Sequence, residues 1–550
     1  MNFLYTILIN TKPSDIFQIT FLTICFYILH FYYLHFTRTN PLPGPMPIPL
    51  IGTFEIFRAH IDIDAWFYKL TQKYGQNGVF ELNLIGNRQI VITRAEYVNK
   101  FMTPASDQEN HMKHLMRTAN NGLLDLFDLD CKGVGLNHNY NFWKFNRQIF
   151  YQAIKTACYA EETCKLINNL YEEMINYWIN LKKSNDDSVV VDAAAWMRRF
   201  TNDFISVVAT SERTFAIKHY YQILNNEKIT QEILDSEDFV ECISNFFEDN
   251  QMIFIPKVLR KFPLIRGRVH KMMDTCDYLY KRLVQRIRRR RKEVEKLVNA
   301  SNFDTSQLKN DLLTSMVVAN TPYETTPQKN VDPSLLRPMT DDEIRGIMFD
   351  AFAAGTDTTA NTFCFVLYYI THHPEVKKKL LEELRTVFKD DLTRPVTMDD
   401  LNKLRYCEAI INETSRIRPT VSMVSRYGNQ ADEVAGYKWP ADILFIMYVR
   451  GINNNSLYWK DPEKFNPDRF YDPQEIEKQH KFGFTMFGGG LRMCLGRNLA
   501  MIEMKILLAS LYRKFDVELV DMKAPLNIRT STVTICKNLD VRIIPKAELC

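Results

Sequence analysis

The apolar and polar positions of this chain fall into stretches of different character. Residues 16–36, between Asp15 and Arg38, are 21 residues without a charge. At about 1.5 Å per residue they predict about 31 Å of helix, matching a bilayer's hydrocarbon core. His30 and His35 stand beside Phe31, Tyr32 and Tyr33, amphipathic rings suited to the membrane interface. No Ala precedes Ala59 and no Gly precedes Gly44, so the small-residue cleavage site of a signal peptide is missing. Residues 15–37 therefore read as an uncleaved transmembrane anchor behind a short segment, 1–14. In residues 38–52 prolines alternate from Pro41 to Pro49; each fixes φ and removes a donor, which predicts a stiff, extended hinge.

Residues 53–550 carry the rest of the pattern. Apolar alternation at 79–84 and 89–93 predicts short strands of a small sheet. Spacing from about 140 to 297 is mostly helical. Residues 299–335, rich in Asn, Thr, Ser and Pro, read as a partly flexible connection. Thr340 and Glu343 form a capping box that opens a long helix, which Pro374 stops; about 32 residues give about 48 Å, enough to cross a domain. Further helices are predicted at 375–389, 401–417 and 495–514, with sheet and turns at 432–440 and in the last 30 residues. The fold class is mainly α with a minor β portion.

Composition narrows the chemistry. With 69 Lys+Arg against 65 Asp+Glu, a net charge of +4 gives no reason to expect nucleic acid. The strongest basic run, Arg286 to Lys292, reads as the solvated end of a helix. Eleven cysteines are scattered with no C-x-x-C pair, which fits neither a disulfide framework nor a zinc site and suits a reducing compartment.

One cysteine stands apart. Gly488, Gly489, Gly490 and Gly496 surround Cys494 and let the backbone fold tightly against a flat ligand. Cys494 also precedes a predicted helix, whose positive end favours thiolate over thiol. Phe487, Gly490, Arg492, Cys494 and Gly496 spell F-x-x-G-x-R-x-C-x-G; at average composition a chance match is on the order of one in ten thousand. This pattern resembles the haem-binding signature of cytochrome P450 enzymes. The resemblance implies the P450 fold for residues 53–550, haem b (iron protoporphyrin IX), and Cys494 as the thiolate ligand of its iron.

Other landmarks of that family follow in order. Glu413 and Arg416 match E-x-x-R, and Arg469 matches the arginine expected to join them in a buried network supporting the cysteine loop. Trp143 and Arg147 match W-x-x-x-R, whose residues contact haem propionates; Arg426 and Arg492 resemble further propionate partners. Ala354 to Thr359 match the oxygen-activation motif of the long helix. There Thr358 is expected to bond back to the Ala354 carbonyl and open the helix, and Asp357 to relay protons. Gly355, costly in a helix by about 1 kcal/mol, suggests close approach of a bulky flat ligand, with Phe349, Ala353 and Ala354 lining the pocket. A departure is Asn453-Asn454, where family members often carry His-Arg; this puts the packing of that turn in question.

The resemblance thus implies a monooxygenase that inserts one atom of O2 into an apolar lipid, sterol, terpenoid or xenobiotic. Electrons from NADPH would arrive through NADPH-cytochrome P450 reductase, with cytochrome b5 as a second donor, and Lys144 and Arg497 are candidates for steering that partner. The expected location is the endoplasmic reticulum membrane, single-pass, with the catalytic domain cytoplasmic. Two other classes stay open at this point: a haem-thiolate isomerase or dehydratase acting on peroxides, and a non-enzymatic haem protein.

Overall fold

The computed structural model describes residues 12–53, 62–84, 87–103, 114, 116–117, 128, 132–155, 157–182, 187–249, 263–324, 333–389 and 391–546. The chain begins with α1 (Pro13–Phe36), in which no residue is buried. Among the described residues it is the helix long and apolar enough to cross a membrane. It is followed by α2 (Ile63–Tyr74), β1 (Val79–Leu84), β2 (Asn87–Ile92) and α3 (Ala95–Met102). The helical stretch comprises α4 (Tyr140–Lys155), α5 (Ala157–Asn180), α6 (Ala193–Thr210), α7 (Ala216–Leu224), α8 (Gln231–Asp249) and α9 (Pro263–Val298), interrupted by β3 (Val189–Asp192).

The second half holds α10 (Leu312–Val318), α11 (Asp341–His372), α12 (Pro374–Phe388), α13 (Met398–Lys403) and α14 (Arg405–Ile417). Strands β4 (Met423–Gly428), β5 (Asp432–Val434), β6 (Tyr437–Trp439) and β7 (Ile443–Tyr448) precede short helices α15 (Val449–Asn453) and α16 (Pro473–Glu477). The chain closes with α17 (Arg497–Lys514), β8 (Phe515–Leu519), β9 (Ile528–Thr530), β10 (Thr534–Cys536) and β11 (Asp540–Pro545). The largest sheet runs β1-β2-β7-β4; smaller ones pair β3-β11-β8, β10-β9 and β5-β6. The helical core gathers around α11, while apolar residues of the four-stranded sheet form smaller clusters with α2 and α3.

Helix α11 has the 32 residues expected of it and opens on the Thr340/Glu343 capping box. Most of it is buried, so it is the central strut against which α6, α9 and α14 pack.

Several expectations are corrected. The predicted helix over 401–417 is two helices broken at Leu404. The Glu383 carboxylate accepts from the Tyr406 and Cys407 amides at 2.5 and 3.0 Å, capping α14 from a neighbouring helix. The connection after residue 299 contains buried α10, and its N-cap, Asp311, is paired with Arg290 at 2.6 Å. That pair also overturns the reading of the basic run as a solvated end. Arg290 is 2% exposed and further donates to the Thr210 carbonyl at 2.6 Å; Arg291 pairs with Asp341 at 2.7 Å. The run is a hub that ties α9 to α6, α10 and the start of α11.

The proline-rich stretch does not hang free, and its end departs from the extended form expected: residues 48–52 make a turn in which the Gly52 amide donates to the Ile48 carbonyl at 2.7 Å. Glu81 of β1 pairs with Arg38 at 2.6 Å and Arg88 at 2.5 Å, and its amide donates to the Pro43 carbonyl at 2.9 Å. Gly44 lies so close to β1 that a Cβ there would meet the Glu81 carbonyl oxygen at 2.2 Å.

Candidate active site

The loop before α17 is folded back on itself. The Cys494 amide donates to the Phe487 carbonyl at 3.0 Å and the Met493 amide to the Gly490 carbonyl at 3.1 Å. Gly488 and Gly490 have φ of 67° and 62°, the left-handed region that glycine adopts at no steric cost. A Cβ on Gly490 would also meet the Met102 carbonyl oxygen at 2.7 Å. The glycines therefore admit the end of α3, a reason that the flat-ligand argument from sequence did not contain.

The Cys494 thiol has accessible surface although protein encloses it, so it opens into a recess inside the fold. Burial pushes its pKa up; the Gly496 amide, Arg117, Arg147 and the Arg497 amide pull it down without cancelling that rise. Two amides and two cations therefore act on the sulfur, but they do not by themselves make it the thiolate that the helix end was expected to favour. A metal cation held by Cys494 would supply what they lack, because a coordinating thiol loses its proton outright.

Beside the loop is a group of guanidiniums. Arg492 lies over the Trp143 ring at 4.7 Å and donates to the Val134 and Asn137 carbonyls at 2.7 and 2.6 Å. Arg147, on α4 with Trp143, lies over the same ring at 5.7 Å and donates to the Met493 carbonyl at 2.7 Å. Burial, then Arg117, Arg426 and Arg147, push the Arg492 guanidinium well down, and Asp350 opposes them. Burial and then Arg117 push Arg426 down to about 9. Trp143 Nε1 and Arg117 Nε are buried without a hydrogen-bond partner.

Four cations facing one carboxylate inside a protein are costly unless anions join them. The two propionate anions of a haem would meet that requirement, so the residues present fit the haem expected from sequence. Arg117 and Asp350 had no signal in the sequence. Arg117 lies outside any periodic element, and Asp350 reads as one more polar position of a long helix. In the fold, the Asp350 carboxylate accepts from the Val134 and Gly135 amides at 2.6 and 2.8 Å, ordering the segment that receives Arg492.

Beneath the loop, Glu413 and Arg416 are both 0% exposed and pair at 2.7 Å; Arg469 Nε stands 3.4 Å from Glu413 Oε1. Arg416 and Arg469 both lie over the Trp459 ring. From this network a chain of bonds reaches the loop. Arg416 donates to the Asn453 carbonyl at 3.0 Å, Asn453 Oδ1 accepts from the Thr485 amide at 3.3 Å, and the Thr485 carbonyl accepts from the Gly488 amide at 3.2 Å. Asn454 is buried too and donates to the Arg416 and Arg450 carbonyls at 3.1 and 3.0 Å. The Asn pair thus completes the packing that the departure from the family pattern had put in question.

On α11, Thr358 Oγ1 donates to the Ala354 carbonyl at 2.6 Å. Ala354 is exposed and Thr358 half-buried in the middle of a helix that is otherwise mostly buried, so this turn borders a concavity. Phe349 and Ala353 lie instead against a small apolar cavity shared with α8 and α9. Gly355 makes room for Ile205 of α6, whose Cγ1 would stand 2.8 Å from an added Cβ. Asp357 is fully buried, accepts from Ser244 Oγ at 3.0 Å, and is raised to about 6, burial being the largest cause. It faces α8 and is separate from the arginine cluster.

Comparison with known proteins gives the family of the chain. The family model for cytochrome P450 matches residues 42–543. Tabersonine 3-oxygenase of Catharanthus roseus is 22% identical over 516 residues, 93% of each chain. Cytochrome P450 71A2 of Solanum melongena is 25% identical over 527 residues, 92% of this chain and 93% of that one. The heme domain of cytochrome P450DA superposes with a TM-score of 0.71 at 18% identity, covering 92% of this chain and 98% of that one, a likeness of fold.

Proposed function

This chain belongs to the cytochrome P450 family and is a haem-thiolate monooxygenase, and from that premise we propose how its residues share the work. When bound, the haem supplies the activation of O2. Cys494 holds the iron, with the Gly496 and Arg497 amides tuning the sulfur and Phe487 and Gly490 shaping the loop. Trp143, Arg147, Arg426 and Arg492, joined by Arg117, hold the propionates. Glu413, Arg416 and Arg469 support the loop from below. Thr358 bonds back to the Ala354 carbonyl beside the concavity, and Asp357, one residue before it, keeps a proton available. The observation that carries this reading is the set of four guanidiniums gathered beside an enclosed cysteine.

The same proposal extends to the cell. Residues 15–37 anchor the chain in the endoplasmic reticulum membrane as a single pass, residues 38–52 set its attitude, and residues 53–550 form a cytoplasmic catalytic domain. The apolar, unburied α1 supports this. Electrons come from NADPH through NADPH-cytochrome P450 reductase, or cytochrome b5, approaching the face where Arg497 is exposed and Lys144 half-buried. The substrate is an apolar small molecule that partitions into the bilayer: a lipid, sterol, terpenoid or xenobiotic.

The test is turnover by the full-length protein with NADPH and reductase, on substrates first selected by Soret-shift titration against a panel of lipids and sterols. NADPH-dependent oxygen insertion is expected. Product formed only from a hydroperoxide, with no need for NADPH, would sink the proposal in favour of an isomerase or dehydratase.

A further inference from the structure

The Asp357 carboxylate turns away from Thr358 toward a file of polar groups between helices. Its Oδ1 accepts from Ser244 Oγ of α8 at 3.0 Å, and its Oδ2 is buried with no hydrogen-bond partner. Glu248 stands four residues beyond Ser244, on the same face of α8. It is ion-paired with Lys537 and lies 3.4 Å from Arg529 Nη1. Arg198 of α6 donates to the Lys537 carbonyl at 3.3 Å. Side-chain exposure rises along this file, from 0% at Asp357 to 23% at Glu248 and 33% at Lys537. The β9–β10 hairpin holds the file together. Ser531 Oγ donates to the Phe247 carbonyl, the Cys536 amide donates to Asn361 Oδ1 at 2.7 Å, and Asn361 Nδ2 donates to the Asp357 carbonyl at 2.6 Å.

We propose that Ser244 positions the Asp357 carboxyl and passes protons to it from the Glu248–Lys537 side, so that proton supply to the Ala354–Thr358 turn of α11 runs through α8. This rests on the role given to Asp357 above. In the step, a hydronium drawn by the Glu248 carboxylate to the side of Ser244 gives one proton to Ser244 Oγ as the Ser244 hydroxyl proton passes to Asp357 Oδ1. Ser244 ends with the hydroxyl it began with, one O–H bond forms for each that breaks, and no electrons move. The surrounding charges suit this task. Burial and Glu248 favour the protonated acid, while Arg198, the Ser244 hydrogen bond and Lys537 favour the anion. The carboxyl is poised at about 6, so both states are populated near neutral pH, as a proton donor that must be recharged requires.

The experiment compares the haem-loaded wild type with Ser244→Ala, Ser244→Thr and Asp357→Asn. The carboxyl infrared band that Asp357→Asn abolishes is titrated in each, and the H2O/D2O isotope effect on reductase-supported NADPH oxidation is measured. Ser244→Ala removes a donor to the charged form, so the midpoint moves upward by about half a pH unit or more; the isotope effect grows by about twofold or more. Ser244→Thr, which keeps the hydroxyl, restores wild-type values, and the reduced, CO-bound band is the same in all. Either an unmoved midpoint or an unchanged isotope effect in Ser244→Ala overturns the proposal. Absence of the reduced-CO band in the wild type would instead overturn the function proposed above.

Discussion

At the scale of single residues, Cys494, Glu413 and Asp357 each bind a different function to a different physical cost. Cys494 is a thiol whose pKa burial raises, and the iron it is proposed to hold would offset that cost. Cys494→Ser keeps the loop's backbone bonds but removes the sulfur, so the red-shifted Soret band of the reduced, CO-bound protein is lost. Glu413→Gln strands Arg416, which is 0% exposed, and breaking a buried pair in this way costs about 3–5 kcal/mol. The expected result is a lower unfolding midpoint together with loss of haem during purification.

Asp357 carries a cost of the opposite sign. Its pKa is raised from 3.8 to about 6, so the folded state holds its proton in a range where the unfolded chain has released it. Stability from this group therefore falls as pH rises between about 4 and about 6, and is level above that window. At about 1.4 kcal/mol per pH unit the full penalty is about 3 kcal/mol. Asp357→Asn is then more stable than wild type at pH 7 by up to that amount, with the gap closing toward pH 4, as denaturant unfolding at several pH values would show. A gap independent of pH would contradict the assignment.

At the scale of elements, α11 is a strut that the proposed function also makes an active-site wall. Its start is secured by Thr340 Oγ1, which accepts from the Glu343 amide at 3.3 Å; Thr340→Ala should cost about 1 kcal/mol in thermal or denaturant unfolding. At its middle, Ile205 crosses Gly355 too closely for a side chain. Gly355→Val should overpack this crossing by about 1–3 kcal/mol and disturb the Ala354–Thr358 bond, lowering NADPH-supported turnover more than haem content. The motif was legible in sequence, but the reason for its glycine was not, because Ile205 lies 150 residues away along the chain. The same holds for Arg290. A run of like charge reads as solvated until a folded partner such as Asp311 is brought beneath it.

At the scale of the molecule, the segment after α1, the proline-rich stretch and the four-stranded sheet meet at Glu81. Because Arg38, Arg88 and the Pro43 carbonyl all engage this residue, the helix leaves the domain from a clamped point. A chain starting at residue 38 is expected to keep its reduced-CO spectrum and to stay in solution when mixed with phospholipid vesicles that bind the full-length protein.

The sequence by itself determined what local chemistry and periodicity decide. These are the charge-free span, the capped 32-residue helix, the cysteine loop with its glycines, and the family those motifs spell. Tertiary structure decided what depends on distant partners: Arg117 and Asp350 joining the arginine cluster, Glu383 breaking the 401–417 helix in two, and Ser244 meeting Asp357. Local patterns are written in neighbouring residues because helices and turns close bonds over three or four positions. A buried charge is stabilised or stranded only by what the fold brings to it, and no spacing along the chain records that.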